Sequence, residues 1–200
     1  DEVLEREIMN HLFPDTTYGC ESGGDPKNIP DLTYENFLNF HRTYYHPSNS
    51  YIYLYGNMDM EEKLAFLDEH YLSHFDYLDV DSVIQEQKAF GACQDVTLEY
   101  PVAENEGEED NTYLSYNMVV ENAADSQMAM AFEVLDYALL SAPGAPLKQA
   151  LLDVKAGKDV YGSYDDGILQ PYFTVIAKGS NPDRKEEFVS EIGRASCRER

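Results

Sequence analysis

Apolar positions recur at two periods along this chain, and the switch between them lays out its elements. In residues 1–13, Leu4, Ile8 and Leu12 fall four apart, the spacing of one helix face. Pro14 stops that run. Residues 15–30 are punctuated by Gly19, Gly23, Gly24, Pro26 and Pro30 and read as loop. Thr33 then stands where a helix N-cap belongs, with Leu32 and Phe37 at the positions of a hydrophobic staple. Phe37, Phe40 and Tyr44 form the apolar face of that helix, and Pro47 ends it. In residues 51–56 the period drops to two. Tyr51, Tyr53 and Tyr55 face one way, and Ile52 and Leu54 the other. Both faces suit burial, so this segment is predicted to be an interior strand beneath a helical layer. Asp59 and Glu62 open a third helix as a capping-box-like pair, with Leu64, Leu67 and Tyr71 as its stripe.

Periodicity fades over residues 76–94, which are expected to be a connector. It returns as a short strand at 96–101, an acidic loop at 104–110, and a strand at 112–120 with Leu114, Tyr116, Met118 and Val120 on one face. A helix is predicted over 125–140, with Met128, Phe132, Leu135 and Leu139 facing inward. Pro143-Gly144 breaks it, and Pro146 suits the first turn of the next helix. Residues 160–164 and 168–178 form a hairpin around Asp165-Asp166-Gly167, and Asn181-Pro182 starts a last helix.

Composition narrows the partners. The chain has 200 residues, 38 acidic against 14 basic, for a formal charge of −24. Such a surface repels nucleic-acid phosphates and anionic lipid; it could attract basic peptides, but the charge reads first as solubility. No apolar run reaches the length of a membrane span, and the first residues lack the basic start and apolar core of a signal peptide. The chain also lacks an initiator Met. Cys20, Cys93 and Cys197 have no metal-type spacing and suit a reducing compartment.

Candidate chemistry is sparse. The histidines are His11, His41, His46, His70 and His74. His70 and His74 stand four apart, a spacing that shares a helix face, but two ligands are too few for a zinc site. His41 and His46 flank the Tyr44-Tyr45 pair and read as packed polar tips. There is no Gly-x-Ser-x-Gly elbow and no Walker loop, and Gly23-Gly24 is a turn. Asp165-Asp166-Gly167 is a hairpin turn rather than a metal loop.

Three runs carry a family resemblance: YGCESGGDP at 18–26, IPDLTYENFLNFH at 29–41 and YYHPSNSYIYLYGN at 44–57. SAPGAPLKQALLD at 141–153 and DDGILQPYFTVIAKG at 165–179 add to them. Together they resemble the insulinase (pitrilysin) type of zinc metallopeptidase, most closely its presequence-protease branch. The resemblance implies an α+β fold made of parts of two consecutive metallopeptidase-like (mitochondrial-processing-peptidase-like) domains, mixed sheets with packed helices. Residues 1–78 would be the C-terminal part of the first domain, 79–94 a connector, and 95–190 the N-terminal part of the second.

Proteins of that family are several times longer. They fold as four related domains in two halves that close over a chamber, and they degrade short unstructured peptides. Their zinc motif is His-x-x-Glu-His, with a distal Glu. None of the five histidines completes it; in the nearest run, 66–70, Phe66 stands where the first ligand is required. The resemblance therefore implies no catalytic, cofactor-binding or metal-binding residue in this chain. Zinc would belong to the parent protein. The expected partners are peptide substrates and the remaining domains of the same chain, with no nucleic acid or membrane. The expected location is the cytoplasm for a bacterial-type protein and an organelle for a eukaryotic one. A non-catalytic insulinase-like partner subunit and an unrelated α+β peptide-binding module are the other readings.

Residues 191–200, EIGRASCRER, turn basic after an acidic body. They resemble the translation of a common short-read sequencing adapter. On that reading the segment is foreign, makes few contacts and can be deleted without effect.

Overall fold

A computed structural model describes residues 1–120 and 122–197. The chain divides into two compact units. One is Ser22–Ile84; the other joins Asp1–Glu21 to the chain from Gln85 on. The fold class is α+β, as expected from the two hydrophobic periods.

The larger unit is built on a three-stranded antiparallel sheet. Its strands are β1 (Thr112–Val119), β2 (Asp159–Asp165) and β3 (Tyr172–Ser180), in the order β1-β3-β2. Leu114 and Val160 both pair with Ala177, and Tyr116 and Gly162 with Val175. The central strand is buried on both faces, because Phe173 to Ala177 are all inaccessible. Phe173, Val175 and Ala177 point into a core with Leu114, Leu140, Leu147, Leu151, Val160 and Phe188. Tyr172, Thr174 and Ile176 share the opposite face, where the Tyr172 ring meets the buried ring of Phe13, 6.2 Å between centroids. Phe13 follows α1 (Glu2–Leu12), whose Ile8 is buried as the helical spacing predicts. Lys178 on β3 holds the start of α1 through the Asp1 carboxylate at 2.9 Å.

Three helices complete this unit: α4 (Ser126–Asp136), α5 (Pro146–Asp153) and α6 (Lys185–Cys197), the smaller unit contributing α2 (Tyr34–Tyr44) and α3 (Met60–His70). The Asp125 carboxylate caps α4 by accepting from the amides of Gln127 and Met128. The helix predicted over 125–140 widens into a π turn at Tyr137–Ser141 before Pro143-Gly144 breaks it. Gly144 takes φ +74°, a left-handed conformation that side chains resist. Pro146 sits in the first turn of α5.

The smaller unit has local structure without a core. Thr33 caps α2 by accepting from the Asn36 amide at 3.1 Å, and Asp59 caps α3 from the Glu62 amide at 3.1 Å, both as expected. None of the side chains from Ser22 to Ile84 is buried. The predicted stripes Phe37-Phe40-Tyr44 and Leu64-Leu67-Tyr71 stay largely exposed. The strand predicted at 51–56 is corrected: the segment pairs with nothing, and Tyr51, Tyr53 and Tyr55 all face solvent. Alternation marks a surface that fits a sheet, but a strand exists only when a neighbour supplies its ladder bonds. The strand predicted at 96–101 is likewise not formed; there the Tyr100 hydroxyl donates to the Asn111 carbonyl in place of a ladder.

The expectation of few contacts in 191–200 is corrected for its described part. α6 runs on past Ser190, and Ile192 and Ala195 join Phe188 in the core. Ile192 lies four residues after Phe188 and Ala195 three after Ile192, a spacing that keeps all three on one helix face. Gly193 points away, with open space where a Cβ would stand. Cys197 closes α6, and residues 198–200 lie outside the described residues.

Candidate functional site

The side chains of His11, His41, His46 and His70 each have a structural contact. His11 bonds the Glu7 carbonyl one turn back at 2.7 Å. His41 stacks on Tyr45, 4.7 Å between centroids and 13° between planes. The His46 ring nitrogen accepts from the Ser48 amide at 3.2 Å and its ring meets the edge of Phe75. His70 packs on Phe66 at 4.6 Å. The shared helix face of His70 and His74 is corrected. α3 ends at His70, and His74 closes a separate 3-10 turn, Leu72–His74. Zinc does not fit here: the Phe66 position offers no ligand, and among the described residues no three His, Cys, Asp or Glu side chains gather closely enough to hold a metal.

The Asp165-Asp166-Gly167 segment is a turn. The Asp165 carboxylate accepts from the Gly167 amide at 3.0 Å through one oxygen and from the Tyr172 hydroxyl at 3.2 Å through the other. Burial pushes the Tyr172 phenol up to about 12, and the Asp165 charge adds to the shift. A neutral phenol that donates to a carboxylate closes a hairpin; it is not poised for proton transfer near neutral pH.

Sequence reasoning missed two polar constellations. Gln87, inside the expected connector, is buried. Its side-chain oxygen accepts from the Asp15 amide at 2.9 Å and its nitrogen donates to the Asp15 carboxylate at 2.8 Å. Its backbone amide donates to the Gln170 side chain at 2.6 Å, and Gln170 donates back to the Gln87 carbonyl at 3.2 Å. The clamp ties the chain at 87 to the loop after α1 and the approach to β3. A single glutamine in a polar stretch gives no periodic signal, so nothing in the sequence marked it. The second pair is Asp110 and Asn181. Asn181 precedes the 3-10 turn Pro182–Arg184 that leads into α6, without capping that turn. Its side chain accepts from the Asp110 amide at 2.8 Å and donates to the Asp110 carboxylate at 2.7 Å. That hydrogen bond, with Lys158 beside it, holds the Asp110 carboxyl below its ordinary range.

One cleft of about 440 Å³ lies where the end of the π turn, the start of α5 and β2 meet, lined by Ser141, Pro143, Gly144, Lys148, Tyr161 and Gly162. Gly162 shapes it, because a Cβ there would fall 2.1 Å from the Thr174 carbonyl oxygen and 2.6 Å from Leu140. Its cation is already engaged: Lys148 lies 3.6 Å from Asp159. The lining holds a serine hydroxyl but no histidine to activate it.

This is the setting in which the relatives fall. The Peptidase M16 inactive domain family matches residues 31–196, so the chain belongs to the M16 peptidase family. Among curated relatives, Protein HypA of Clostridium perfringens is 46% identical over 192 residues, covering 96% of this chain and 20% of that protein. Presequence protease 1, chloroplastic/mitochondrial, of Arabidopsis thaliana is 36% identical over 198 residues, covering 96% of this chain and 18% of that protein. A crystal structure described as that of an M16-like peptidase from Alicyclobacillus acidocaldarius superposes with a TM-score of 0.56 at 18% identity, covering 97% of this chain and 46% of that one. That likeness speaks for the fold. The chain thus spans about one fifth of the length of these curated relatives.

Proposed function

We propose that the chain is a scaffold segment of a zinc-dependent metalloendopeptidase that degrades short unstructured peptides. The parent would carry the zinc ligands outside these 200 residues, and this segment would contribute scaffold and chamber wall. The observation that carries the reading is the family match over residues 31–196, in a chain without any His-x-x-Glu-His run. The coreless unit Ser22–Ile84 supports it, since capped helices with exposed apolar stripes are what remains of a domain whose other layers lie elsewhere. The proposed division keeps residues 1–78 in a first peptidase-like domain and 95–190 in a second. A cytoplasmic or organellar location, with peptide substrates and no nucleic acid or membrane partner, goes with this reading. Among the described residues no helix is long and apolar enough to cross a membrane. The proposal extends to the end of the chain: foreign sequence replaces the natural one after about Ser190, even though its isoleucine falls where α6 can bury it.

The test compares the parent protein with the 200-residue chain, each on an unstructured peptide. The parent is expected to lose turnover with a chelator and regain it with zinc, while the chain alone stays inactive. Chelator-sensitive turnover by the chain alone would put the active site in it and overturn the proposal. A parent coding sequence without His-x-x-Glu-His would favour the non-catalytic subunit. Genomic reads across codon 190 decide the origin of the tail.

A further inference from the structure

The two faces of the β1-β3-β2 sheet differ in chemistry. One packs Phe173, Val175 and Ala177 into the apolar core. The other lies beneath α1, and its middle is polar. Ser115 and Tyr161 pair with Ile176 there, and Asn117 and Ser163 with Thr174. Partners across a ladder share a face. The Asn117 side-chain nitrogen donates to the Ser115 hydroxyl at 2.9 Å, and the Ser163 and Thr174 hydroxyls lie 3.3 Å apart. α1 packs against β1, yet Ile8 is the only one of its side chains that is buried. Asn117 Oδ1 on β1 and Arg6 Nε on α1 are buried atoms without a hydrogen-bond partner among the described residues, and Arg6 Nε lies 3.7 Å from the Glu7 carboxylate. Polar groups left unpaired in this way favour a state that returns them to water.

The two ends of α1 are held unequally. At the C-terminal end, fully buried Phe13 meets the rings of Tyr18 and Tyr172 at 5.9 and 6.2 Å, and Gln87 clamps Asp15 two residues on. At the N-terminal end the tie is the Asp1–Lys178 ion pair at 2.9 Å, whose side chains are 51% and 43% exposed. An exposed pair of this kind contributes little and is screened by salt.

We infer that α1 is a hinged strap. It lifts from the sheet as one unit about Phe13 and the Gln87–Asp15 clamp when the Asp1–Lys178 latch releases, while β1, β2 and β3 stay paired. Lifting uncovers Ser115, Asn117, Tyr161, Ser163 and Thr174, a row of hydrogen-bonding side chains. Few buried apolar contacts are what place an element at the low-stability end of a fold. Strap opening does not depend on the peptidase reading, because every contact it breaks lies within the chain.

The test follows hydrogen exchange of the 200-residue chain by mass spectrometry, on peptides covering α1 and β3. The amides of α1 are expected to exchange together, at least about tenfold faster than those of β3. Raising NaCl from about 50 to about 500 mM should speed α1 by about two- to fivefold and leave β3 unchanged. Lys178→Met should reproduce that acceleration at low salt and abolish the response to salt. Asp1→Asn breaks the same latch from the other side, and Asp1 makes no side-chain capping bond to α1, so this variant carries the test if Lys178→Met does not fold. Arg6→Met removes one unpaired group and should slow α1 exchange. Exchange of α1 at the rate of β3 would overturn the inference. So would latch variants that speed both elements equally, or an α1 indifferent to salt and to both latch variants. Unchanged α1 exchange in Arg6→Met counts against a strap loosened by its unpaired groups.

Discussion

Tyr172 shows how one side chain serves the fold. Its phenol is held neutral by burial and by the Asp165 carboxylate it donates to, with its ionisation pushed up to about 12. A tyrosine whose folded value lies above its unfolded value of about 10 favours the folded state below pH 10. That contribution is lost as pH rises through about 12. Tyr172→Phe should therefore lower stability at neutral pH by about 1 kcal/mol, since Asp165 keeps its other bonds but loses this one. The wild-type advantage should shrink between pH 10 and 12, read by denaturant unfolding across that range. Gly162 makes the opposite point, because here the absence of a side chain is what packs. Gly162→Ala should cost about 1–3 kcal/mol, the range for forcing a methyl into a filled site, measured as a shift in the urea midpoint.

Among the elements, α6 changes its prospects once it is seen packed. The basic turn at 191–200 and Gly193 point to a dispensable end, yet Ile192 and Ala195 lie in the core beside Phe188. Comparing residues 1–190 with 1–200 should now show a lower Tm for the shorter chain. Burial of one isoleucine on the order of 1.5–3 kcal/mol predicts a drop of several degrees. An unchanged Tm would mean that the end of α6 does not dock. The origin of the string is a separate matter, because any sequence that continues the helix with an apolar residue at the right spacing can occupy the face. Residues 51–56 are the converse: a strand by pattern, left unpaired and largely exposed for want of a ladder.

At the level of the whole molecule, the two units differ in kind. The unit from Gln85 on, with Asp1–Glu21, holds every buried side chain among the described residues, and Ser22–Ile84 holds none. Local opening follows burial, so hydrogen exchange should be fast throughout Ser22–Ile84 and slowest in β3. Chymotrypsin should cut first at Tyr51, Tyr53 or Tyr55, not at Phe173. Early loss of β3 with an intact 22–84 segment would reverse the assignment of the core. In the longer protein proposed above, the same tyrosines should be cut more slowly than in the 200-residue chain.

What the sequence determined by itself is what neighbours along the chain settle. The caps at Thr33 and Asp59, the stops at Pro14 and Pro143-Gly144, and the hairpin around Asp165 are each specified within a few residues, and each is found. The α+β class follows from the two hydrophobic periods, and the motif runs pointed to the family. Of the candidate chemistry, motif spacing alone could be read from the letters: none of the five histidines completes His-x-x-Glu-His. Tertiary structure alone decided the rest. Gln87 is buried because Asp15 and Gln170 converge on it from 72 and 83 residues away. Asn181 abandons its helix for Asp110, and Gly162 is required because Leu140 and the Thr174 carbonyl crowd it. Residues 51–56 form no strand, because alternation states only that a segment fits a sheet. Hydrogen bonds to a second strand must come from elsewhere in the fold, and no spacing within one segment encodes them.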